Sequence, residues 1–458
     1  MKIVLISANT AQTPYPVYPL GMGIVAKALL DAGHQVVQFD FLHSGQSFEK
    51  LTQVLLSQMP DLVGISIRNI DNVNLASEQH YIGTVRQIVL AVRSSVKVPI
   101  VLGGAGFSIM PETILDAVGA DYGIVGESES AVVDFVADIE GGKRPDRCIR
   151  AHNLVAPKNI GSAQYDSDII KFYLKYGNMV GMQTKRGCIH KCVYCTYPLL
   201  EGRIFRPRPA VDVVDDIEVL IKDHHAGYIV FTDSIFNDDQ GLFLNVLHEM
   251  KRRRLSVPWT GFIKPGNILE EHVLLMKETG LKAVEIGSDA ASDIALKGIG
   301  KDFLFKDIIS ANDIFVRNGV ATAHFFMFGG PGETKDSVME GIENIIALPG
   351  TVSFMFMGIR ILPETPLEKI ALRDGVIEPG RDLLESVYYI SPALDRQWLE
   401  KTMLEGFKDH RCCFFPADKF ESSIKFLHQM GYSGSLWEML SPNKMRRSQR
   451  SIHPMQKG

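Results

Sequence analysis

Short apolar runs alternate with amphipathic stretches along the first third of the chain. Each run suits one buried strand, and the stretches between them carry apolar residues at three- and four-residue spacing, which is typical of helices. Strands that alternate with helices predict a parallel sheet with helices on both faces, that is, a doubly wound α/β domain. The predicted strands are KIVLIS (2–7), HQVVQFDF (34–41), DLVGISI (61–67), PIVLGG (99–104) and YGIVGE (122–127).

The loops after these strands are rich in glycine and polar residues. Ligands of doubly wound sheets lie beyond the carboxyl ends of the strands, so we expect binding at these loops. Glycine has no Cβ and lets a ligand approach the backbone closely. Ordinary turn chemistry accounts for any one of these loops, but four on one edge favour a large ligand held mainly by backbone groups. The candidate residues are Ser7, Gly21, Ser66, Arg68, Asn69, Gly103, Gly104, Gly126 and Glu127.

A second series of strand and helix patterns begins near residue 178. Six strand–helix repeats are too few for a closed eight-stranded barrel, so they predict an open partial (β/α)6 barrel. Active sites of such barrels lie at the carboxyl ends of the strands. The predicted strands are 178–184, 228–233, 258–263, 283–289, 321–330 and 352–362.

These patterns divide the chain into four parts. The stretch 382–407 and the residues after it look helical and rich in aromatic residues, so we expect a small, mostly helical cap that closes over a substrate. Tyr388, Tyr389 and Trp398 either line that pocket or pack in a core. The basic, polar stretch 443–458 is typical of a solvated tail. The predicted parts are a ligand-binding domain (1–145), a linker (146–177), the partial barrel (178–381) and a C-terminal cap and tail (382–458).

Composition narrows the class of protein. A hydrophobic share of 46% and a charged share of 22% are those of an ordinary globular chain. The net charge of -5 does not indicate a nucleic-acid partner. No apolar run is long enough to span a membrane, and MKIVLISANT lacks the features of a signal peptide. Six cysteines are too few for a disulfide scaffold, so we predict a reduced, cytoplasmic protein.

Three of the cysteines lie in one short segment, QTKRGCIHKCVYCTYP (183–198). Cys188, Cys192 and Cys195 have the spacing C-x3-C-x2-C. Structural zinc sites commonly use four protein ligands, and His190 inside the segment leaves zinc as an alternative. Three thiolates without a second cysteine pair instead favour a cubane iron–sulfur cluster with one iron open to a cosubstrate. The remaining cysteines, at 148, 412 and 413, are expected to be ordinary free thiols.

The cysteine segment, with Tyr194 before its last cysteine, resembles the radical S-adenosylmethionine (SAM) superfamily. The resemblance extends from Gln183 to about Leu372. It implies that the three cysteines hold a 4Fe-4S cluster and that the open iron binds the amino and carboxylate groups of SAM. Reductive cleavage of SAM then gives a 5′-deoxyadenosyl radical, and the electron comes from an external donor of the flavodoxin or ferredoxin type.

The same resemblance implies SAM-binding residues at the ends of later strands. Asp233 resembles the acidic position that contacts the methionine amino group, although an N-cap role is the alternative. Many relatives have Gly-x-Glu-Ser where this chain has Gly-Ser-Asp-Ala at 287–290, so a shorter carboxylate stands at this position. The implied set is Tyr194, Asp233, Ser288, Asp289, Gly329 and Gly330.

A doubly wound domain ahead of a radical SAM domain resembles the cobalamin-binding, class B-type branch of that superfamily. The loop sequences PYPVYPLG, GISIRNIDN, LGGAGFS and IVGESE match it, but the Asp-x-His-x-x-Gly motif, whose histidine ligates cobalt, is absent. The resemblance therefore implies cobalamin bound in the N-terminal domain without a histidine on cobalt. Loop 66–72 would face the lower side of the corrin, with Arg68 or Asn69 near cobalt.

The resemblance also implies a reaction. We expect methylation of an unactivated carbon in a small-molecule substrate, a lipid or a secondary metabolite, by way of the radical and methylcobalamin. That cycle demands no acid–base pair, which agrees with the lack of an evident one in the sequence, and the catalytic residues stay unassigned. Two alternatives are open: the same cofactors in a non-methylating cyclisation or ring rearrangement, and a metal- or cobalamin-binding module without catalysis.

Overall fold

The computed structural model describes residues 1–12, 14–151 and 154–440. The predicted tail, 443–458, lies outside the described residues. Two parallel sheets organise the described part of the chain, one in each half. None of the helices in these three ranges is both long enough and apolar enough to cross a membrane.

The N-terminal sheet has six parallel strands in the order β2-β1-β3-β4-β5-β6. Its central strands are buried on both faces because helices cover both, as the continuous apolar runs predict. The strand order reverses between β1 and β3, and the crevice at such a reversal is where these sheets bind ligands. The strands are β1 (Lys2–Ser7), β2 (Gln35–Asp40), β3 (Leu62–Ser66), β4 (Ile100–Gly103), β5 (Tyr122–Val125) and β6 (Cys148–Arg150). The helices are α1 (Leu20–Asp31), α2 (Phe48–Gln58), α3 (Ile82–Ser95), α4 (Ala105–Ile109), α5 (Pro111–Val118) and α6 (Ser128–Glu140).

The first sheet extends past the predicted boundary at residue 145, because β6 pairs in parallel with β5. A three-residue strand carries too little periodicity to be seen in the sequence. The segment that follows carries α7 (Ser167–Leu174), close to the helix expected at 168–177. Asp166 begins α7 as its N-cap, since its side chain accepts hydrogen bonds from the backbone N–H groups of Asp168 and Ile169.

The second sheet has seven parallel strands in the order β17-β14-β13-β12-β11-β10-β7. Six of them are the strands of the predicted partial barrel, and the ends of the sheet do not pair with each other. The strands are β7 (Met179–Met182), β10 (Tyr228–Phe231), β11 (Trp259–Ile263), β12 (Ala283–Asp289), β13 (Ala321–Phe328), β14 (Val352–Met357) and β17 (Cys413–Phe414). Short pairs outside the sheet are β8 (Lys185–Arg186) with β9 (Arg206–Pro207), and β15 (Ile359–Arg360) with β16 (Tyr388–Tyr389).

Helices follow the barrel strands at the predicted places. Each buries its apolar face against the sheet, as the amphipathic pattern predicts. The helices are α8 (Tyr197–Leu200), α9 (Ala210–Lys222), α10 (Leu242–Arg252), α11 (Glu270–Glu278), α12 (Asp293–Gly298), α13 (Phe305–Arg317), α14 (Lys335–Ala347), α15 (Pro366–Arg373), α16 (Arg396–Phe407), α17 (Glu421–Gln429) and α18 (Trp437–Leu440).

The C-terminal region departs from the prediction in two ways. The stretch 382–395 is not helical, because β16 pairs with β15 there instead. Residues after α16 supply β17, which pairs with β14, and α17 and α18, which pack on the first residues of β12, β13 and β14. This segment, 413–440, therefore closes the amino-terminal end of the barrel. Tyr389 is fully buried in a core cluster, and Trp398 packs at the edge of the same cluster.

Candidate active site

The cysteine segment forms a loop between β8 and α8 at the carboxyl end of β7. Cys188 is buried, and Cys192 and Cys195 are half-buried. Gly187 begins the loop with φ +85°, and a Cβ there would lie 1.9 Å from the carbonyl oxygen of Ile204. A side chain at this position would clash with Ile204, so only glycine fits. This tight contact fixes the backbone at the start of the loop that carries the three thiols.

A cation stands beside these thiols. The Lys301 ammonium pairs with Asp289 and hydrogen-bonds to Cys192, and the Tyr194 hydroxyl donates to Asp289 Oδ2 over 2.7 Å. Burial alone would lower the pKa of Lys301, but Asp289 and Cys192 outweigh burial and raise it, so the side chain stays charged. Asp289 has φ +60° at an irregularity in β12, which turns its carboxylate toward the cysteine loop. Three sulfur donors with one adjacent cation fit an anionic iron–sulfur cluster.

Burial also sets the protonation of two of the free thiols. Burial raises the pKa of Cys188, and it raises the pKa of Cys195 to about 12. Both side chains are thus neutral thiols in the metal-free chain, and iron binding must release their protons.

The zinc alternative does not fit the position of His190. Its Nδ1 lies 3.1 Å from Asp302 Oδ2, and its Nε2 lies 3.6 Å from Asp239 Oδ2. Both ring nitrogens therefore face carboxylates rather than the cysteine thiols. The fourth ligand of a zinc site is thus missing from the cysteine loop.

The predicted role of Asp233 needs correction. Its carboxylate is buried and accepts hydrogen bonds from the Thr184 backbone and hydroxyl, and from the Lys185 ammonium at 3.2 Å. These partners tie the end of β10 to the chain just before the cysteine loop. Asp233 therefore stabilises the base of that loop and has no free oxygen for a ligand amino group.

Ser288 and the glycine loop also have internal partners. Ser288 is fully buried and hydrogen-bonds to His324 Nδ1 over 2.8 Å, so its hydroxyl does not face a ligand. The N–H groups of Gly329 and Gly330 donate to Glu333 Oε2 over 2.6 and 2.7 Å. Burial raises the pKa of Glu333 to about 7. The Ser288 hydroxyl and the two glycine N–H groups are thus engaged within the fold, and contact of Gly329 and Gly330 with SAM stays a prediction. Tyr194 and Asp289 lie beside the cysteine loop.

A cavity of about 540 Å³ lies between the N-terminal sheet and the cysteine loop. We call it the crevice cavity. Its wall includes Gln183, Arg186, Thr196 and Tyr197 of the second half, and Tyr197 follows Cys195 closely. Among the described residues that line it there is no histidine. The predicted residues in its wall are Gly21, Ser66, Arg68, Asn69, Gly103, Gly104, Gly126 and Glu127.

Ser7 is the exception among the predicted residues. It is fully buried beside Asp40, to which its side chain hydrogen-bonds, and it does not line the crevice cavity. Asp40 also accepts a hydrogen bond from the Tyr173 hydroxyl over 3.0 Å. Ser7 thus helps to fasten α7 to the first sheet rather than contacting a ligand.

Charged groups join the two halves beneath the crevice cavity. The Glu127 carboxylate accepts two hydrogen bonds from the Arg206 guanidinium, and Arg186 pairs with Glu127 and Glu129. The side chains of Glu127 and Arg206 are each 5% exposed. Glu127 therefore acts as a buried link between the sheet and the segment after the cysteine loop.

Gly104 must be glycine because the fold leaves no room for a side chain, whereas the sequence suggested the close approach of a ligand. It has φ +99°, and a Cβ there would lie 2.6 Å from the carbonyl oxygen of Ile67.

We expect Gly104→Val to displace loop 66–72 and to weaken cobalamin binding at least about tenfold, a cost of about 1.4 kcal/mol. Equilibrium binding followed by the visible spectrum of the corrin measures this. The matched control is Gly83→Ala in α3, where a Cβ meets nothing within 4 Å. Equal affinities for both variants would contradict the expectation.

A second cavity, of about 390 Å³, lies inside the barrel. We call it the barrel cavity. Its wall comes from inward-facing residues of the barrel strands, from the segment 14–18, from loop 66–72 and from the closing segment 413–440. Arg68 and Asn69 belong to the walls of both cavities. Loop 66–72 is therefore the partition between the crevice and the barrel.

Glu285 is the buried carboxyl group of the barrel cavity. It lies on β12, and its Oε1 accepts a hydrogen bond from Trp437 Nε1 over 3.3 Å. Burial raises the pKa of Glu285 to about 7. Tyr15 lies nearby, and burial followed by the charge of Glu285 raises its pKa.

The sequence gives a signal for Glu285 but none for Lys301. Lys301 lies in the short connection between α12 and α13, so no spacing signal marks it. Glu285 is visible as a charge at an inward position in the apolar first part of the strand AVEIGSD, ahead of its polar end at Ser288 and Asp289. Its partner Trp437 comes from a distant segment, and nothing local in the sequence joins the two.

Comparison with known families settles the class of protein. The B12 binding domain family matches residues 6–136, and the Radical SAM superfamily matches residues 182–345. The chain belongs to the cobalamin-binding radical SAM enzymes. Its cofactors are accordingly a 4Fe-4S cluster, SAM and cobalamin. A binding module without catalysis is thus not the right class.

Among curated proteins, the chain is similar to the tryptophan 2-C-methyltransferase of Streptomyces laurentii. The two are 25% identical, and the match covers 80% of this chain and 74% of that one. The anaerobic magnesium-protoporphyrin IX monomethyl ester cyclase of Rubrivivax gelatinosus is 24% identical, over 70% of this chain and 60% of that one.

Solved structures show the same fold. The radical SAM methyltransferase TsrM from Kitasatospora setae, with cobalamin and a 4Fe-4S cluster bound, superposes with a TM-score of 0.84 at 23% identity, over 98% of this chain and 99% of that one. The cobalamin-dependent enzyme OxsB superposes with a TM-score of 0.69 at 15% identity, over 89% of this chain and 66% of that one. The match to TsrM includes the closing segment of the barrel in the aligned length.

Proposed function

We propose that this enzyme transfers a methyl group from SAM to a carbon of a small molecule bound in the barrel cavity. The observation that carries the proposal is the shared wall: Arg68 and Asn69 line both cavities. A corrin in the crevice and a molecule in the barrel would therefore meet across loop 66–72. When bound, the cluster and SAM supply radical initiation and cobalamin supplies a methyl carrier.

The chain's own residues position these partners and exclude water. Cys188, Cys192 and Cys195 would hold the cluster, and Lys301 would balance part of its negative charge. The loops of the crevice cavity would hold the corrin, with Arg68 and Asn69 in the wall on the side of the barrel cavity. The aromatic wall of the barrel cavity removes the substrate from solvent, which protects a radical from side reactions.

The size of the barrel cavity favours a compact substrate over an extended one. A cavity of about 390 Å³ with several polar groups in its wall suits a compact secondary metabolite better than an extended lipid. The similarity to a tryptophan methyltransferase makes tryptophan a sensible first substrate to try.

The experiment follows the methyl group of SAM. The anaerobically reconstituted enzyme receives SAM labelled in its methyl group, a reductant, and tryptophan or fractionated metabolites. We expect the label first on the bound corrin and then in a product. The corrin step is read without any knowledge of the substrate. Formation of 5′-deoxyadenosine with no label in corrin or product would contradict methyl transfer and support the non-methylating alternative.

A further inference from the structure

Aromatic side chains are the largest single group in the wall of the barrel cavity. Four phenylalanines project into it from the strands, and two aromatic side chains come from the closing segment 413–440. Aromatic rings recognise flat apolar molecules through stacked and edge-to-face contacts. The six residues are Phe262, Phe325, Phe354, Phe356, Phe420 and Trp437.

The charges in this wall are mostly negative. Glu285, Asp418 and Glu421 contribute three carboxyl groups, and Arg68 is the one cation among the described lining residues. Arg68 stands on the partition loop, which places its charge at the boundary with the crevice cavity. The rest of the barrel cavity therefore presents an acidic, aromatic surface.

Glu285 stands out within this group. It is 5% exposed, and Trp437 is the one hydrogen-bond donor to its carboxyl group found among the described residues. Tyr15 and Tyr228 lie close to it, and neither brings a positive charge. Burying a carboxylate without a charged partner is costly, and the raised pKa of Glu285, about 7, reflects that cost. A cationic ligand would supply the missing partner.

We infer that the substrate of the barrel cavity is a compact aromatic molecule that carries a positively charged amine, with the amine bound against Glu285. The inference rests on the proposed function, since it assumes that this cavity holds the substrate. Glu285 is then a residue that determines substrate specificity, and Asp418 and Glu421 add to the attraction for a cation.

The test compares three probes of the same shape and different charge: naphthylmethylamine, naphthylmethanol and naphthoate. Their binding to the full-length enzyme with its cofactors is measured by calorimetry at about pH 8, where both Glu285 and the amine are charged. We expect the amine to bind about tenfold to a hundredfold more tightly than the alcohol, and naphthoate to bind more weakly still. Equal affinities for amine and alcohol, or tighter binding of naphthoate, would overturn the inference.

Two variants locate the effect. Glu285→Gln keeps the shape of the side chain and an acceptor for Trp437 Nε1, so we expect the advantage of the amine to fall to within about threefold, since less than 1 kcal/mol of selectivity would remain. Glu438→Gln removes a carboxyl group of α18 that does not line the barrel cavity, and it is expected to preserve the advantage. An amine preference that survives Glu285→Gln would refute the role of Glu285.

The pH dependence of probe binding can be measured on the wild-type enzyme. This test therefore does not depend on whether a variant folds. The carboxylate form of Glu285 is present above its pKa of about 7 and is lost below it. The amine advantage should therefore decline as the pH falls through about 7, because the amine stays protonated while Glu285 becomes neutral. A preference that does not change over this range would contradict the inference.

These binding experiments separate the two proposals. They need no turnover, so a missing amine preference leaves the labelled methyl on the corrin as an independent result. Conversely, an amine preference in an enzyme that transfers no methyl would support the substrate class and refute the methyl transfer.

Discussion

Replacing Cys188, Cys192 and Cys195 together by alanine is expected to abolish cluster binding and cleavage of SAM. Each thiolate holds one iron of the cubane, and a methyl group cannot replace it. We expect iron and sulfide content to fall from one cluster per chain to background, and the broad visible absorbance of the cluster to disappear. The formation of 5′-deoxyadenosine should fall to the level without enzyme.

The matched control replaces the three other cysteines. Cys148, Cys412 and Cys413 are free thiols, half-buried and far along the chain from the cysteine loop. Their alanine variant should keep the cluster and SAM cleavage. Cleavage that persists in the variant of the cysteine loop would end the radical SAM assignment of these thiols.

Replacing Arg206 by methionine is expected to lower the free energy of unfolding by about 3 to 5 kcal/mol. The substitution removes the two guanidinium hydrogen bonds to the buried Glu127 carboxylate and leaves Arg186 as its remaining cation. Removing one partner of a buried ion pair costs about that much. Chemical denaturation of the cofactor-free chain, followed by circular dichroism, measures the loss. Because Glu127 lines the crevice cavity, cobalamin affinity should fall as well.

An exposed ion pair provides the comparison. Arg317 and Glu270 pair at 3.0 Å with side chains 56% and 51% exposed. Arg317→Ala should cost no more than about 1 kcal/mol, because exposed pairs gain little in water. A similar loss in both variants would show that Arg206 contributes no more than a surface contact.

The sequence predicts the strands well because their burial leaves a strong pattern. The run KIVLIS coincides with β1 and AVEIGSD with β12, since strands covered on both faces are mostly apolar. Short strands such as β6 and β17 escape prediction, because two or three residues cannot show a period. The stretch 382–395 was expected to be helical, but its pairing with β15 depends on a partner far away in the chain.

The candidate site is harder to predict from the sequence than the strands are. Loop positions around the crevice follow from the ends of parallel strands, and Gly103 and Gly126 lie in the cavity wall as expected. Asp233 and Ser288 also stand at strand ends, yet their side chains bond to Thr184 and His324. Position along a strand thus indicates the neighbourhood of a residue, whereas the partner of its side chain depends on tertiary packing.

The closing segment of the barrel is synthesised late, and this affects the order in which the two cavities form. Phe420 and Trp437 complete the barrel cavity, but they leave the ribosome after every other strand of the barrel. The N-terminal sheet, by contrast, can fold as soon as β6 has emerged, because domains generally fold as units during synthesis. The other wall of the crevice, from Gln183 to Glu201, emerges next. The crevice can therefore be complete while the barrel cavity is still open at its amino-terminal end, and a nascent chain could bind cobalamin before it can bind a substrate.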